Sequence, residues 1–247
     1  MPREASFSIG NPDARLRILW LHGYTGAPGA FRTTVEHIAE TCDAFVHAPL
    51  LPGHGTSKED LCGVDFETLL QAARSAAKET VRADASFVIV GYSFGGYLAA
   101  VLANEFDVSA LILALTPFSI RFPASLPGAG WIMSRRTFWN KYLTAEDVAE
   151  RKGTFYYPDV PGTSLSFIKQ GNALLRNIVP DLSCPIYTIH NESDPVAKPD
   201  SGERLIALHP HPGICEPRVL PGGRHALFFR PEHDLELDLL QTLLRRI

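Results

Sequence analysis

No stretch of this chain is apolar for long enough to cross a bilayer, and its first residues, Met1-Pro2-Arg3-Glu4-Ala5-Ser6-Phe7, carry no apolar signal core. Both absences predict a protein with no stable membrane insertion and no secretory leader. Cysteine is scarce: Cys42, Cys62, Cys184 and Cys215 are widely spaced, form no C-x-x-C and have no histidine at ligand spacing. That excludes a recognisable zinc or dithiol motif, predicts that no metal is held, and reads as free thiols in a reducing cytoplasm. Basic charge is not in excess, with 23 Lys+Arg against 27 Asp+Glu and a formal net charge of −4. Nucleic acid and anionic membrane surfaces are therefore poor partners. Repeats and low-complexity tails are also missing, as in an ordinary globular chain. A length of 247 residues with 45% hydrophobic content suffices for one domain with a full core.

What is present is concentrated in Gly91-Tyr92-Ser93-Phe94-Gly95-Gly96. The run Phe87-Val88-Ile89-Val90 before it reads as a buried strand, and Tyr97 to Ala103 after it reads as a helix. G-x-S-x-G laid across a sharp strand-to-helix turn is the pattern of a nucleophile elbow. Such a turn holds its serine in a strained conformation and needs glycine where strand and helix approach closely. A serine hydroxyl is a weak nucleophile by itself, so a base, an orienting acid and an oxyanion hole are required with it.

Candidates for each follow strand-like runs. Leu16-Arg17-Ile18-Leu19-Trp20-Leu21 ends in His22-Gly23-Tyr24-Thr25-Gly26. A loop at the carboxyl end of a parallel strand faces the crevice where such sheets bind ligands. The backbone N–H groups of Tyr24 and Phe94 are the candidate oxyanion donors. His22 lies before the serine and is read as fixing this loop. Pro185 to His190 is a second strand pattern, followed by Glu192 and Asp194. Both carboxylates compete for the acid; the offset of Asp194 and the stiffening Pro195 favour Asp194. Among nine histidines, His225 follows Pro221-Gly222-Gly223-Arg224 at the end of the strand Glu216 to Leu220. A glycine loop there allows an imidazole to reach the elbow. His54, in Leu51-Pro52-Gly53-His54-Gly55, is read as structural, and His209 and His211 as loop residues.

Strand and helix signals alternate through Asp43–Ala48, a helix from Asp65 to Val81, the elbow, and Ser109–Ala114, which predicts a mostly parallel sheet covered on both faces. A last helix starts at Asp234 and runs to Leu244. The alternation breaks over residues 119–181, which are rich in aromatics: Phe122, Trp131, Phe138, Trp139, Tyr142, Phe155, Tyr156, Tyr157 and Phe167. This segment is read as a small helical cap over the crevice, with 1–118 and 182–247 forming the core. Its aromatics either line an acyl pocket or pack the cap onto the core; Trp131, Phe138 and Trp139 are the candidate substrate-binding residues.

Taken together, His22-Gly23-Tyr24-Thr25-Gly26, Ala48-Pro49-Leu50-Leu51-Pro52-Gly53-His54-Gly55, the Ser93 elbow, Asp194 and His225 resemble the bacterial carboxylesterase and monoacylglycerol lipase group of α/β-hydrolases, over nearly the whole chain. The resemblance implies the α/β-hydrolase fold, a mostly parallel sheet flanked by helices with a cap inserted after the strand that follows the nucleophile helix. It implies Ser93, Asp194 and His225 as the triad, in the chain order of that fold, and Tyr24 and Phe94 as oxyanion donors. It further implies a lipase-like serine carboxylesterase, without cofactor, acting on small esters of short to medium acyl chains or on monoacylglycerols. The chain departs from the group in Tyr24, where an apolar residue is commoner, and in Arg224 directly before the base. Three other functions compete. Carbon–carbon bond hydrolases of this type carry tryptophan after the catalytic histidine, where Ala226 stands here. Acyl transfer on the same triad is the second, and a non-catalytic binding protein the third. The oligomeric state is left open, a homodimer included.

Overall fold

The computed structural model describes residues 5–121, 137–141, 144, 145, 148, 153–162, 164–227 and 234–247. Seven strands form one sheet: β1 (Phe7–Gly10), β2 (Leu16–Leu21), β3 (Ala44–Ala48), β4 (Ser86–Tyr92), β5 (Ala110–Ala114), then β8 (Ile186–Asn191) and β9 (Glu216–Leu220). Their spatial order is β1-β3-β2-β4-β5-β8-β9, and every pairing except β1 with β3 is parallel. This is the α/β-hydrolase fold with its mostly parallel sheet. Strands β6 (Phe138–Asn140) and β7 (Asp159–Pro161) form a separate antiparallel pair.

The central strands are apolar on both sides because helices cover both faces of the sheet. Leu19, Leu21, Phe87, Ile89, Leu111 and Leu113 pack on one face against α2 (Phe66–Thr80), α3 (Gly95–Glu105) and α4 (Ser164–Ile178). Ile18, Trp20, Val88, Val90 and Ile112 face α1 (Arg32–Thr41) and α6 (Asp234–Leu244) on the other. A shorter helix, α5 (Ser201–Ile206), follows β8. The α2 helix begins where Asp65 accepts a hydrogen bond from the Thr68 N–H at 2.7 Å, as an N-cap should. It ends at Thr80, one residue short of the span read from the sequence. The antiparallel edge strand β1, helix α1 and helix α5 carried no signal in the sequence reading. Of the small helical cap expected over 119–181, Ala145 and Val148 are helical and α4 lies at its end, while residues 122–136 lie outside the described residues.

No helix among the described residues is long and apolar enough to cross a membrane. All four cysteines are free thiols. The carboxyl ends of β2, β4, β8 and β9 open at one edge of the sheet, and each delivers one loop to the same place.

Candidate active site

The β4–α3 turn places Ser93 at φ +51°. A left-handed serine costs on the order of 1–3 kcal/mol, a strain that persists only where the surroundings impose it. They do so here by close approach. A Cβ on Gly91 would lie 2.5 Å from the Gly96 Cα, and one on Gly95 would lie 2.4 Å from the Leu21 carbonyl oxygen. The Ser93 N–H donates to the Ala114 carbonyl at 2.7 Å, and the Ser93 carbonyl accepts from the Gly96 N–H at 3.0 Å. The half-buried hydroxyl is thereby lifted above the strand ends.

Two loops meet it there. Ser93 Oγ lies 2.8 Å from His225 Nε2, and His225 Nδ1 lies 2.7 Å from Asp194 Oδ2. The side chain of Asp194 is fully buried and that of His225 is 13% exposed. Asp194 Oδ1 accepts from the N–H groups of Val196 at 2.7 Å and Ala197 at 3.1 Å. Burial by itself would raise this carboxyl, but His225 and the two amides outweigh it and hold the group below its ordinary value. A carboxylate must accept, so Nδ1 carries the ring proton and Nε2 is left bare toward the serine hydroxyl. Glu192 is exposed, and its carboxylate makes only a 3.5 Å contact with the Gly222 N–H. Of the two competing acids, the structure brings Asp194 and not Glu192 to the imidazole.

The loop after β2 lies directly against the elbow. A Cβ on Gly23 would be 3.3 Å from the Ser93 Cβ. Among the described residues, neither the Tyr24 N–H nor the Phe94 N–H donates to a protein acceptor. The loop is a turn closed by the Gly26 N–H on the Gly23 carbonyl, with Thr25 at φ +70°. Positive φ is a genuine outlier for a β-branched residue. Thr25 is held at three points: its N–H donates to His54 Nε2 at 3.1 Å, its carbonyl accepts from the Tyr157 N–H at 2.8 Å, and Lys141 Nζ reaches its hydroxyl at 2.6 Å. Tyr157 Oη also receives the Thr56 N–H and donates to the Gly53 carbonyl. Lys141 and Tyr157, both within residues 119–181, thus touch the loop after β2 itself, a connection the sequence did not signal.

His22 and His54 are two parts of one device. His22 is fully buried, accepts the Leu51 N–H on Nε2 at 3.1 Å and donates from Nδ1 to the Gly23 carbonyl at 2.9 Å. His54 accepts the Thr25 N–H and donates to the Pro52 carbonyl at 2.9 Å. Each ring must be neutral to accept a backbone N–H. Burial pushes His22 down to about 3 and His54 down to about 4, the two rings disfavouring each other's charge in His22's case. An unfolded histidine titrates near 6.5, so below that pH the unfolded chain binds more protons and stability falls. The loss continues until the folded rings protonate at about 4 and 3. Each ring contributes a slope of about 1.4 kcal/mol per pH unit in that window. Urea unfolding at pH 7 and pH 5 is expected to show this loss, and His54→Asn should reduce the difference between the two pH values by up to about 2 kcal/mol. An unchanged difference would show that His54 is not held neutral.

Of the candidate substrate-binding residues, Trp131 lies outside the described residues, as do Phe122 and Tyr142. Phe138 and Trp139 are half-buried on β6. The Lys58 ammonium sits 4.7 Å over the Phe138 ring and pairs with Asp159 on β7, so this hairpin is docked on the loop that precedes α2. Closer to the elbow is an aromatic group drawn from four segments of the sequence. Tyr24 and Phe94 pack on each other at 5.4 Å between ring centroids, and Phe167 of α4 contacts Tyr24 at 5.6 Å and Phe94 at 6.1 Å. Phe66 closes the group, 5.7 Å from Phe94. Tyr24 brings its hydroxyl into this apolar setting, where burial raises its pKa well above the ordinary value.

Comparison with known proteins bears on this arrangement. A model of the alpha/beta hydrolase family matches residues 18–236. Among solved structures, one from the work on LipS and LipT, two metagenome-derived lipolytic enzymes, superposes with a TM-score of 0.80 at 18% identity, covering 100% of this chain and 99% of that one. A soluble variant of monoglyceride lipase from Saccharomyces cerevisiae, bound to a substrate analog, gives 0.79 at 14% identity, covering 98% and 91%. The monoacylglycerol lipase of Paleococcus ferrophilus gives 0.72 at 16%, covering 97% of each chain. No curated protein matches the chain. At such identities these likenesses establish the fold.

Proposed function

The chain belongs to the alpha/beta hydrolase family, and on that premise we propose that it is a serine hydrolase cleaving carboxylic esters of short to medium acyl chains, or monoacylglycerols, through an acyl-enzyme intermediate. The observation that carries the reading is the unbroken line from buried Asp194 through His225 to Ser93, at 2.7 and 2.8 Å, ending on a serine forced to positive φ. In the first half-reaction His225 Nε2 takes the Ser93 proton as Oγ bonds to the ester carbonyl carbon. The Tyr24 and Phe94 N–H groups receive the negative charge that develops on the carbonyl oxygen. His225 then gives its proton to the departing alkoxide, which leaves as the alcohol. Water repeats the sequence on the acyl-serine, releasing the carboxylic acid and restoring the Ser93 hydroxyl. Every step uses groups of this chain and one water. A cytoplasmic location is part of the same reading, supported by four free thiols.

Substrate size is argued from the inserted segment. Phe138 and Trp139 are proposed as one wall of an acyl pocket, with Tyr24 and Phe94 near its base. Each added methylene in such a pocket is worth up to about 0.8 kcal/mol until the space is filled. With p-nitrophenyl esters of increasing chain length, kcat/KM is expected to peak between about C4 and C10, and Trp139→Ala to shift that peak. A peak unchanged in the variant would make Trp139 a packing residue. Reaction of Ser93 with a fluorophosphonate separates the classes. Labelling without hydrolysis of any ester would move the activity to acyl transfer or carbon–carbon cleavage, and no labelling would leave a binding protein.

A further inference from the structure

Three consecutive carbonyls around the base are held by side chains from two other strands. Asn191, the last residue of β8, donates from Nδ2 to the Arg224 carbonyl at 2.7 Å and to the Ala226 carbonyl at 3.2 Å. Tyr92, the last residue of β4, donates from Oη to the carbonyl of His225 itself at 3.0 Å. Asn191 is 1% exposed, and its own carbonyl accepts the Asp194 N–H at 3.3 Å. One residue therefore touches the acid's loop with its backbone and the base's loop with its side chain. Between the same two loops, the Glu192 N–H donates to the Leu220 carbonyl and the Ser193 N–H to the Gly222 carbonyl.

The clamp answers a physical need. The base follows Gly222 and Gly223, at φ +63° and +60°, so its loop has little intrinsic stiffness. His225 must nevertheless stay within hydrogen-bond reach of both neighbours. Gly223 is shaped to the clamp: a Cβ there would lie 2.6 Å from the Asn191 carboxamide carbon and nitrogen. A carboxamide supplies two N–H donors without charge, as two diverging carbonyls require. An aspartate in its place would turn an oxygen toward both.

We infer that Asn191, with Tyr92, is a positioning residue for His225, holding the imidazole in line between Asp194 and Ser93. Only the kinetic part of this inference rests on the hydrolase reading. Asn191→Leu keeps the branched shape and deletes both donors; Tyr92→Phe removes a single oxygen. The test reads the low-field proton resonance of His225 Nδ1–H against Asp194, the rate of Ser93 labelling by a fluorophosphonate, kcat and KM for p-nitrophenyl butyrate, and the thermal midpoint. For Asn191→Leu the resonance should broaden or vanish, and kcat and labelling should fall about 10²-fold, the cost of displacing a catalytic group by roughly 1 Å. KM should stay within about threefold, because the ester itself is not touched. Tyr92→Phe should show the same pattern with a loss of about tenfold, since one donor of three is removed. A folded Asn191→Leu protein that keeps both the resonance and kcat within about twofold overturns the inference. If that variant does not fold, an unchanged resonance and rate in Tyr92→Phe overturn it instead. Should the wild-type protein neither label nor hydrolyse, the hydrolase reading fails, while the resonance still decides whether Asn191 positions the ring.

Discussion

Replacing Ser93 by alanine is expected to lower kcat for p-nitrophenyl butyrate by roughly 10⁶-fold, because the residues of a triad act as a unit and only binding and oxyanion-hole effects survive the loss of one. The variant should fold. The two backbone hydrogen bonds of the elbow, from the Ser93 N–H to Ala114 and from the Gly96 N–H to the Ser93 carbonyl, do not use the hydroxyl. Alanine meets much the same steric penalty at φ +51° as serine does. His225 Nε2 loses its donor, but the ring is 13% exposed and water can reach it. Thermal midpoints of the two proteins should therefore agree within a few degrees, roughly the shift that 1 kcal/mol would produce. A variant that retains a tenth of the wild-type rate would exclude a covalent serine intermediate.

The elbow could be read from the sequence because its geometry leaves few choices. Gly91 and Gly95 stand where any side chain would enter a neighbouring backbone, and the apolar runs on either side are long enough to declare strand and helix. Asp194 and His225 were legible for a related reason, as polar residues just beyond apolar strand-like runs at the one edge where a parallel sheet gathers its loops. What could not be read depends on contacts between distant residues. His22 and His54 were each recognisable as structural, but nothing in two separate segments reveals that one ring accepts Leu51 while the other accepts Thr25. Asn191 looks like an ordinary turn former at a strand end, and its partners lie more than thirty positions away. Tyr92 stands inside the motif, yet the motif constrains only its glycines and serine. Strand β1 is four residues long and pairs antiparallel at the edge, where alternation is weakest as a signal. Over residues 119–181 the aromatics were visible, but not which neighbours each would meet. Phe167 joins Tyr24 and Phe94 beside the elbow, whereas Phe138 lies under Lys58 at the hairpin's docking seam.

The second large effect is expected at the acid, and the contacts of Asp194 dictate its mechanism. Asp194 Oδ1 is fixed by two backbone donors, Val196 and Ala197, while Oδ2 faces His225 Nδ1. In Asp194→Asn the carbonyl oxygen of the new amide must take the Oδ1 position, because only an acceptor satisfies those N–H groups. The NH2 group then points at Nδ1. Two donors cannot share that contact, so the ring shifts its proton to Nε2 and presents an N–H to Ser93, where a base is required. The imidazolium formed during reaction also loses the buried carboxylate that balances its charge. A wrong tautomer of this kind costs on the order of 10⁴-fold in kcat without disturbing the fold. Glu192→Gln should leave activity within about twofold, since an exposed carboxylate whose contact is with the Gly222 N–H contributes little. Steady-state rates for both variants across pH 6 to 9 provide the check. A loss of this size in Glu192→Gln alongside an active Asp194→Asn would reassign the acid. Equal, small losses in both would mean that His225 works without an orienting carboxylate.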